Sequence, residues 1–171
     1  EDAIIILDEA HNLPDRCREL LTATLSTITI ERAMKEMQKH DIHEFLFDVK
    51  KIIDTIVQEM EIQEKETLVE KEALLTSIKD YQKKIEILSL LAEEVIKEKE
   101  RSAAKIVADF LIAWQGPDEG FVRILKKGFS KRGKPLLTLV YKCLDPSFAL
   151  KSSLSAKIPA SLQIPSISAP T

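Results

Sequence analysis

The chain has 171 residues, of which 44% are hydrophobic and 31% charged, so it can hold one domain with a hydrophobic core, or one compact domain plus pieces of another. No apolar run approaches the ~20 residues needed to span a bilayer, which excludes a membrane segment and gives no membrane partner. A formal net charge of -3 excludes nucleic-acid binding through bulk charge, and two cysteines, Cys17 and Cys143, are too few for a disulfide framework or a four-cysteine metal site.

Glu1-Asp2-Ala3-Ile4 carries no initiator methionine and no signal-peptide pattern, so the chain is expected to start inside a longer polypeptide. Ala3 to Leu7 is a continuous aliphatic run that ends abruptly in Asp8-Glu9, the pattern of a strand buried on both faces of a parallel sheet. Pro14 suits a first helical turn, with Asn12 or Asp15 as cap, and a short helix is predicted over Asp15 to Leu25. A second helix is predicted from about Thr29 to His40. Asp41 and Glu44 have capping-box spacing. They lead into Ile42, Phe45, Leu46, Val49, Ile52, Ile53, Ile56, Val57 and Met60, apolar positions at helical spacing that predict one amphipathic helix.

Residues 59–72 are strongly acidic and read as a solvated helix junction. From Leu74 the apolar steps alternate four and three through Ile78, Tyr81, Ile85, Leu88, Ala92 and Val95, a heptad seam that predicts lengthwise packing, most simply against the preceding helix. Ser102 to Gln115 reads as another helix, with Trp114 as a core anchor, stopped by Gly116-Pro117. Phe121 to Leu125 and Leu136 to Leu144 read as two strands joined by the Gly- and Lys-rich segment 126–135. The stretch from Ser152 to Thr171, rich in Ser, Ala and Pro, reads as a flexible tail or a return to another domain.

Two successive carboxylates at the end of an aliphatic strand have a chemical use in nucleoside triphosphatases. Asp8 would hold Mg2+ through water, Glu9 would act as general base on the water attacking the terminal phosphate, and His11 would couple nucleotide state to moving parts. The bland reading is that Asp8-Glu9 caps a helix and His11 is a surface histidine. The chain contains no Gly-x-x-x-x-Gly-Lys-Ser/Thr loop to cradle phosphates, so alone it is expected to be inactive toward ATP.

The run Ile4-Ile5-Ile6-Leu7-Asp8-Glu9-Ala10-His11-Asn12-Leu13 resembles the DEAH box, motif II, of the XPD family of superfamily 2 helicases, which includes DinG-like and FANCJ-like enzymes. Phe110-Leu111-Ile112-Ala113-Trp114, Phe121-Val122-Arg123-Ile124-Leu125 and Tyr141-Lys142-Cys143-Leu144-Asp145-Pro146-Ser147 resemble the segments that close the family's arch domain, the helical insert between motifs II and III. The expected motif III signature does not follow, since Ile167-Ser168-Ala169-Pro170-Thr171 matches it only faintly.

The resemblance implies a mainly α fold: an arch-like helical insert of long antiparallel helices with a small β-hairpin, and an N-terminal strand belonging to a RecA-like α/β motor domain. Residues 1–14 would be the motif II edge of that motor domain, 15–148 the arch-like domain, and 149–171 a tail or return toward the motor. The implied parent is an ATP-dependent 5′-to-3′ DNA helicase of nucleotide excision repair. It would use Mg2+ and ATP and carry a 4Fe-4S cluster bound upstream of Glu1. The arch would help enclose single-stranded DNA and dock repair or transcription-factor subunits, in a prokaryotic or archaeal cytoplasm or a eukaryotic nucleus. Cys17 and Cys143 are not cluster ligands in this reading. A DinG-like fragment and a stand-alone helical interaction module with a coincidental Asp-Glu-Ala-His remain as alternatives.

Between Arg123 and Lys134 there are six basic residues, Arg123, Lys126, Lys127, Lys131, Arg132 and Lys134, and no acidic ones, with Phe121 and Phe129 nearby. Such a hairpin tip could hold phosphates and stack a base, although lysines also commonly cover an exposed hairpin.

Overall fold

The computed structural model of the chain describes residues 10–60 and 65–147, a mixed fold of six α-helices and a four-stranded antiparallel sheet among those residues. The expected N-terminal strand over Ala3 to Leu7 and the segment 149–171 lie outside the described residues. A single 3-10 turn, Ala10–Asn12, leads into α1, Leu13–Leu21, with Pro14 in its first turn as expected. The helix includes Pro14 and Asp15, which flank the boundary expected after residue 14.

The helix predicted to reach Leu25 stops at Leu21, and Ala23–Ser26 becomes strand β1. Its partner is distant: Ala23 pairs with Tyr141 and Leu25 with Leu139. The Thr22 hydroxyl donates to the Arg18 carbonyl at 2.7 Å and accepts from the Cys143 amide at 3.1 Å, closing the helix and opening the strand with one side chain. Ser26 then caps α2, Thr27–Glu36, by accepting from the Thr29 amide at 3.2 Å, so this helix starts earlier than predicted and ends short of His40.

Helix α3, Ile42–Glu59, follows the predicted apolar spacing and buries Ile42, Phe45, Leu46, Val49 and Ile53. The Asp41 side chain makes no capping bond, so the capping box does not form. Inside the acidic stretch, Glu66–Leu68 forms an edge strand, β2, against Ile124 to Lys126. The heptad seam is buried from Leu74 to Ala92, but not by one helix. Helix α4, Glu72–Leu75, ends before a turn over 76–80, and α5, Tyr81–Lys99, starts after Asp80, whose φ of 56° is left-handed. The main partner of α5 is α6, Ala103–Trp114, with a smaller contact to α3, which corrects the expected pairing. Ala104 and Ala108 sit one turn apart on α6 and present little bulk, and the helix packs closely against both α2 and α5.

The predicted hairpin is longer than expected and forms the centre of the sheet. Strands β3, Phe121–Phe129, and β4, Pro135–Cys143, pair along their whole length in the order β1-β4-β3-β2. Side chains alternate across a sheet, so the pairs Leu125 with Leu139 and Arg123 with Tyr141 share one face and Ile124 with Val140 the other. The helices cover the first face, where Leu25, Leu125 and Leu139 join the core of α2, α3, α5 and α6.

Candidate nucleic-acid interface

Asp8 and Glu9 lie outside the described residues, and His11 is an exposed residue of the 3-10 turn before α1. Among the described residues no group of three or more His, Cys, Asp and Glu side chains is placed to hold a metal ion. Cys143 is buried, and that burial pushes its thiol pKa upward. No described helix is long and apolar enough to cross a membrane.

The six basic residues that the sequence groups together are distributed over different environments. Arg123 is in phase with Leu125 on the helix-covered face of β3 and is 5% exposed. Its Nε and Nη2 donate to the Trp114 carbonyl at 3.1 and 2.8 Å, Nη2 donates to the Gly116 carbonyl at 2.7 Å, and Nη1 pairs with the Asp118 carboxylate. The guanidinium carbon lies 4.7 Å from the Tyr141 ring centroid and 5.4 Å from that of Trp114. A helix leaves its last carbonyls unpaired and its C-terminus electronegative, and Arg123 answers both for α6. It therefore caps a helix inside the protein and does not belong to the exposed basic surface.

The same end of α6 receives Tyr81, whose hydroxyl donates to the Leu111 carbonyl at 3.1 Å, and Lys71, whose Nζ donates to the Gly116 carbonyl at 3.0 Å. The Tyr141 hydroxyl donates to the Pro117 carbonyl at 2.7 Å. Burial pushes the Tyr141 phenol up to about 12, with Arg123 opposing that shift, and burial also raises Tyr81.

Lys126 stands on the outer face of the sheet, with Nζ 3.1 Å from the Glu66 carboxylate of β2. Half-buried Lys127 lies within β3 opposite Leu137, and its amide donates to the Lys65 carbonyl at 2.7 Å. Only Lys131, Arg132 and Lys134 occupy the exposed turn. The Gly133 amide donates to the Ser130 carbonyl at 2.9 Å, Gly133 has a left-handed φ of 72°, and the Ser130 amide donates to the Lys134 carbonyl at 2.8 Å. These two bonds close the turn, which carries its three cations at the end of the β3–β4 ribbon.

Across from that turn, α2 presents Arg32 and Lys35 one turn apart. Together the two elements line a groove of about 480 Å³. Sequence reading missed Arg32 and Lys35 because they precede the turn by about a hundred residues. Their only local signal is the three-residue spacing that puts them on one side of a helix. The arrangement can bind phosphates electrostatically.

No protein-family model matches this sequence, and no curated protein matches it either.

Proposed function

We propose that the chain is the helical insert of an XPD-like ATP-dependent 5′-to-3′ DNA helicase, a scaffold that guides single-stranded DNA and docks partner subunits beside the motor. One observation carries the reading beyond the resemblance at Asp8-Glu9-Ala10-His11: the described body takes in and releases the chain on one side. Helix α1, directly after the box, lies against the end of β4, where Arg18 Nε donates to the Leu144 carbonyl at 3.2 Å. At 1.5 Å per residue Ala10 is within about 12 Å of Arg18. A domain inserted into a host needs its two ends close together, so that the host is not forced apart.

In this reading Asp8 holds Mg2+ and Glu9 activates the attacking water, in a longer enzyme that supplies the phosphate loop. The present chain should show no Mg2+-ATP turnover with or without single-stranded DNA. In the longer enzyme, Glu9→Gln should abolish DNA-stimulated hydrolysis. Stimulated turnover by this chain alone, or full turnover by the Glu9→Gln enzyme, sinks the proposal.

A stand-alone interaction module is the second reading, favoured by an apolar hollow of about 570 Å³ lined by Leu21, Ala113, Pro117, Phe121 and Tyr141, with Leu20 at its rim 85% exposed. Such a module would need neither carboxylate, so loss of hydrolysis in Glu9→Gln separates the two.

A further inference from the structure

Helix α2 stands between two grooves. On one side Arg32 and Lys35 face Lys131, Arg132 and Lys134 of the β3–β4 turn. On the other, a groove of about 410 Å³ between α2 and α3 is lined by Met34, Lys35, Gln38, His43 and Lys50. Lys35 and Glu31 line both grooves, so the two adjoin at these side chains of α2. The combined surface carries Arg32, Lys35, Lys50, Lys131, Arg132 and Lys134 against one carboxylate, Glu31, to which Lys50 donates at 2.7 Å. In a chain of net charge -3 this concentration of cations leaves the remaining surface acidic, which confines a polyanion to the grooves.

We propose that the two grooves form one track for the sugar-phosphate backbone of a single nucleic-acid strand, which crosses α2 at Lys35 and reaches the turn, where Phe129 stacks a base. The inference rests on the single-strand role proposed above and assigns it to residues, including Arg32, Lys35 and Lys50. Phe129 is 76% exposed at the end of β3, opposite Pro135 and next in the chain to Ser130, which lines the groove. An exposed ring beside a cationic groove offers a base a stacking partner, which an acidic peptide would not use. A track over a helix some 10 Å wide must bend sharply. A single strand bends that easily, whereas a duplex is stiff over about 500 Å.

The test is fluorescence anisotropy of a labelled oligothymidylate with the whole chain, titrated from 50 to 200 mM salt. Removing one cation that meets a phosphate should reduce the slope of log K against log salt by about 0.7. Arg32→Ala/Lys35→Ala and Lys131→Ala/Arg132→Ala should each flatten it by about 1.4. Phe129→Ala should weaken binding roughly 5- to 100-fold with the slope unchanged. Glu31→Gln removes the one opposing carboxylate and frees Lys50, so it should tighten binding and steepen the slope by about 0.7. Lys142→Ala, exposed on the outer face of the sheet at the end of β4 away from the turn, is the control. An unchanged slope in Arg32→Ala/Lys35→Ala, weaker or equal binding in Glu31→Gln, or equal affinity for a duplex overturns the track. The slopes depend on no ATP chemistry, so a helicase reading refuted by the Glu9→Gln result would leave them standing, and the reverse also holds.

Discussion

Replacing Arg123 separates the two roles a basic residue could have at this position. Arg123→Ala removes the charged donors from the Trp114 carbonyl, while the Gly116 carbonyl keeps Lys71 Nζ at 3.0 Å. Losing the charged bonds to Trp114 at the buried end of α6 costs about 3 kcal/mol. Losing the guanidinium between the Tyr141 and Trp114 rings adds about 1 kcal/mol. Asp118, with its side chain 77% exposed, rehydrates and adds little. The sum is about 4 kcal/mol, or a fall of about 12 °C in Tm for a chain of this size. Arg123→Lys keeps the charge, but one ammonium cannot reproduce the planar fork that reaches two carbonyls and a carboxylate, and should cost about half as much. Thermal unfolding by circular dichroism measures both, alongside oligothymidylate binding. If Arg123→Ala unfolds within about 0.5 kcal/mol of wild type while its binding slope flattens, the buried-cap assignment is wrong and the exposed-contact reading is right.

Two further outcomes follow from the same core. Glu36 accepts from the Ser102 hydroxyl at 2.9 Å and from the Ala103 and Ala104 amides at 2.9 and 3.1 Å, so it caps α6 from another helix. Glu36→Ala should lower stability by about 1–2 kcal/mol. That would appear as an earlier urea midpoint at constant m, and an unmoved midpoint would refute it. The Tyr141 phenol is raised from 10.0 to about 12 by burial, so the unfolded chain ionises first and stability should fall as pH rises from 10 toward 12. Tyr141→Phe should be less stable at pH 8, without the bond to Pro117, yet show a shallower alkaline decline. Identical alkaline slopes in the two proteins would contradict this.

What the sequence revealed depended on how local the determining contacts were. The spacing from Ile42 to Met60 carries α3 because a helix buries its own stripe whatever lies opposite. The seam from Leu74 to Ala92 named the buried residues correctly but hid the break at Thr76 to Asp80, since both pieces bury their share. Strand β1 was not legible: Thr22 to Ser26 becomes extended by pairing with residues more than a hundred positions later. The acidic flank likewise obscured β2, whose carboxylate Glu66 is offset by Lys126 across the ladder. Arg123 had a weak signal, being in phase with Phe121 and Leu125. Apolar Val122 and Ile124 on the opposite phase left the inward side undecided.

Isolated helices open from their ends, one turn at a time, and α6 is denied that route. Its first amides are held by Glu36 of α2 and its last carbonyls by Arg123 of β3 and Tyr81 of α5. Unwinding a turn at the start means detaching α2, and unwinding one at the end means detaching the sheet. Any load applied to α2 therefore passes through Glu36 to a helix anchored at both ends, and from there into the hydrophobic core.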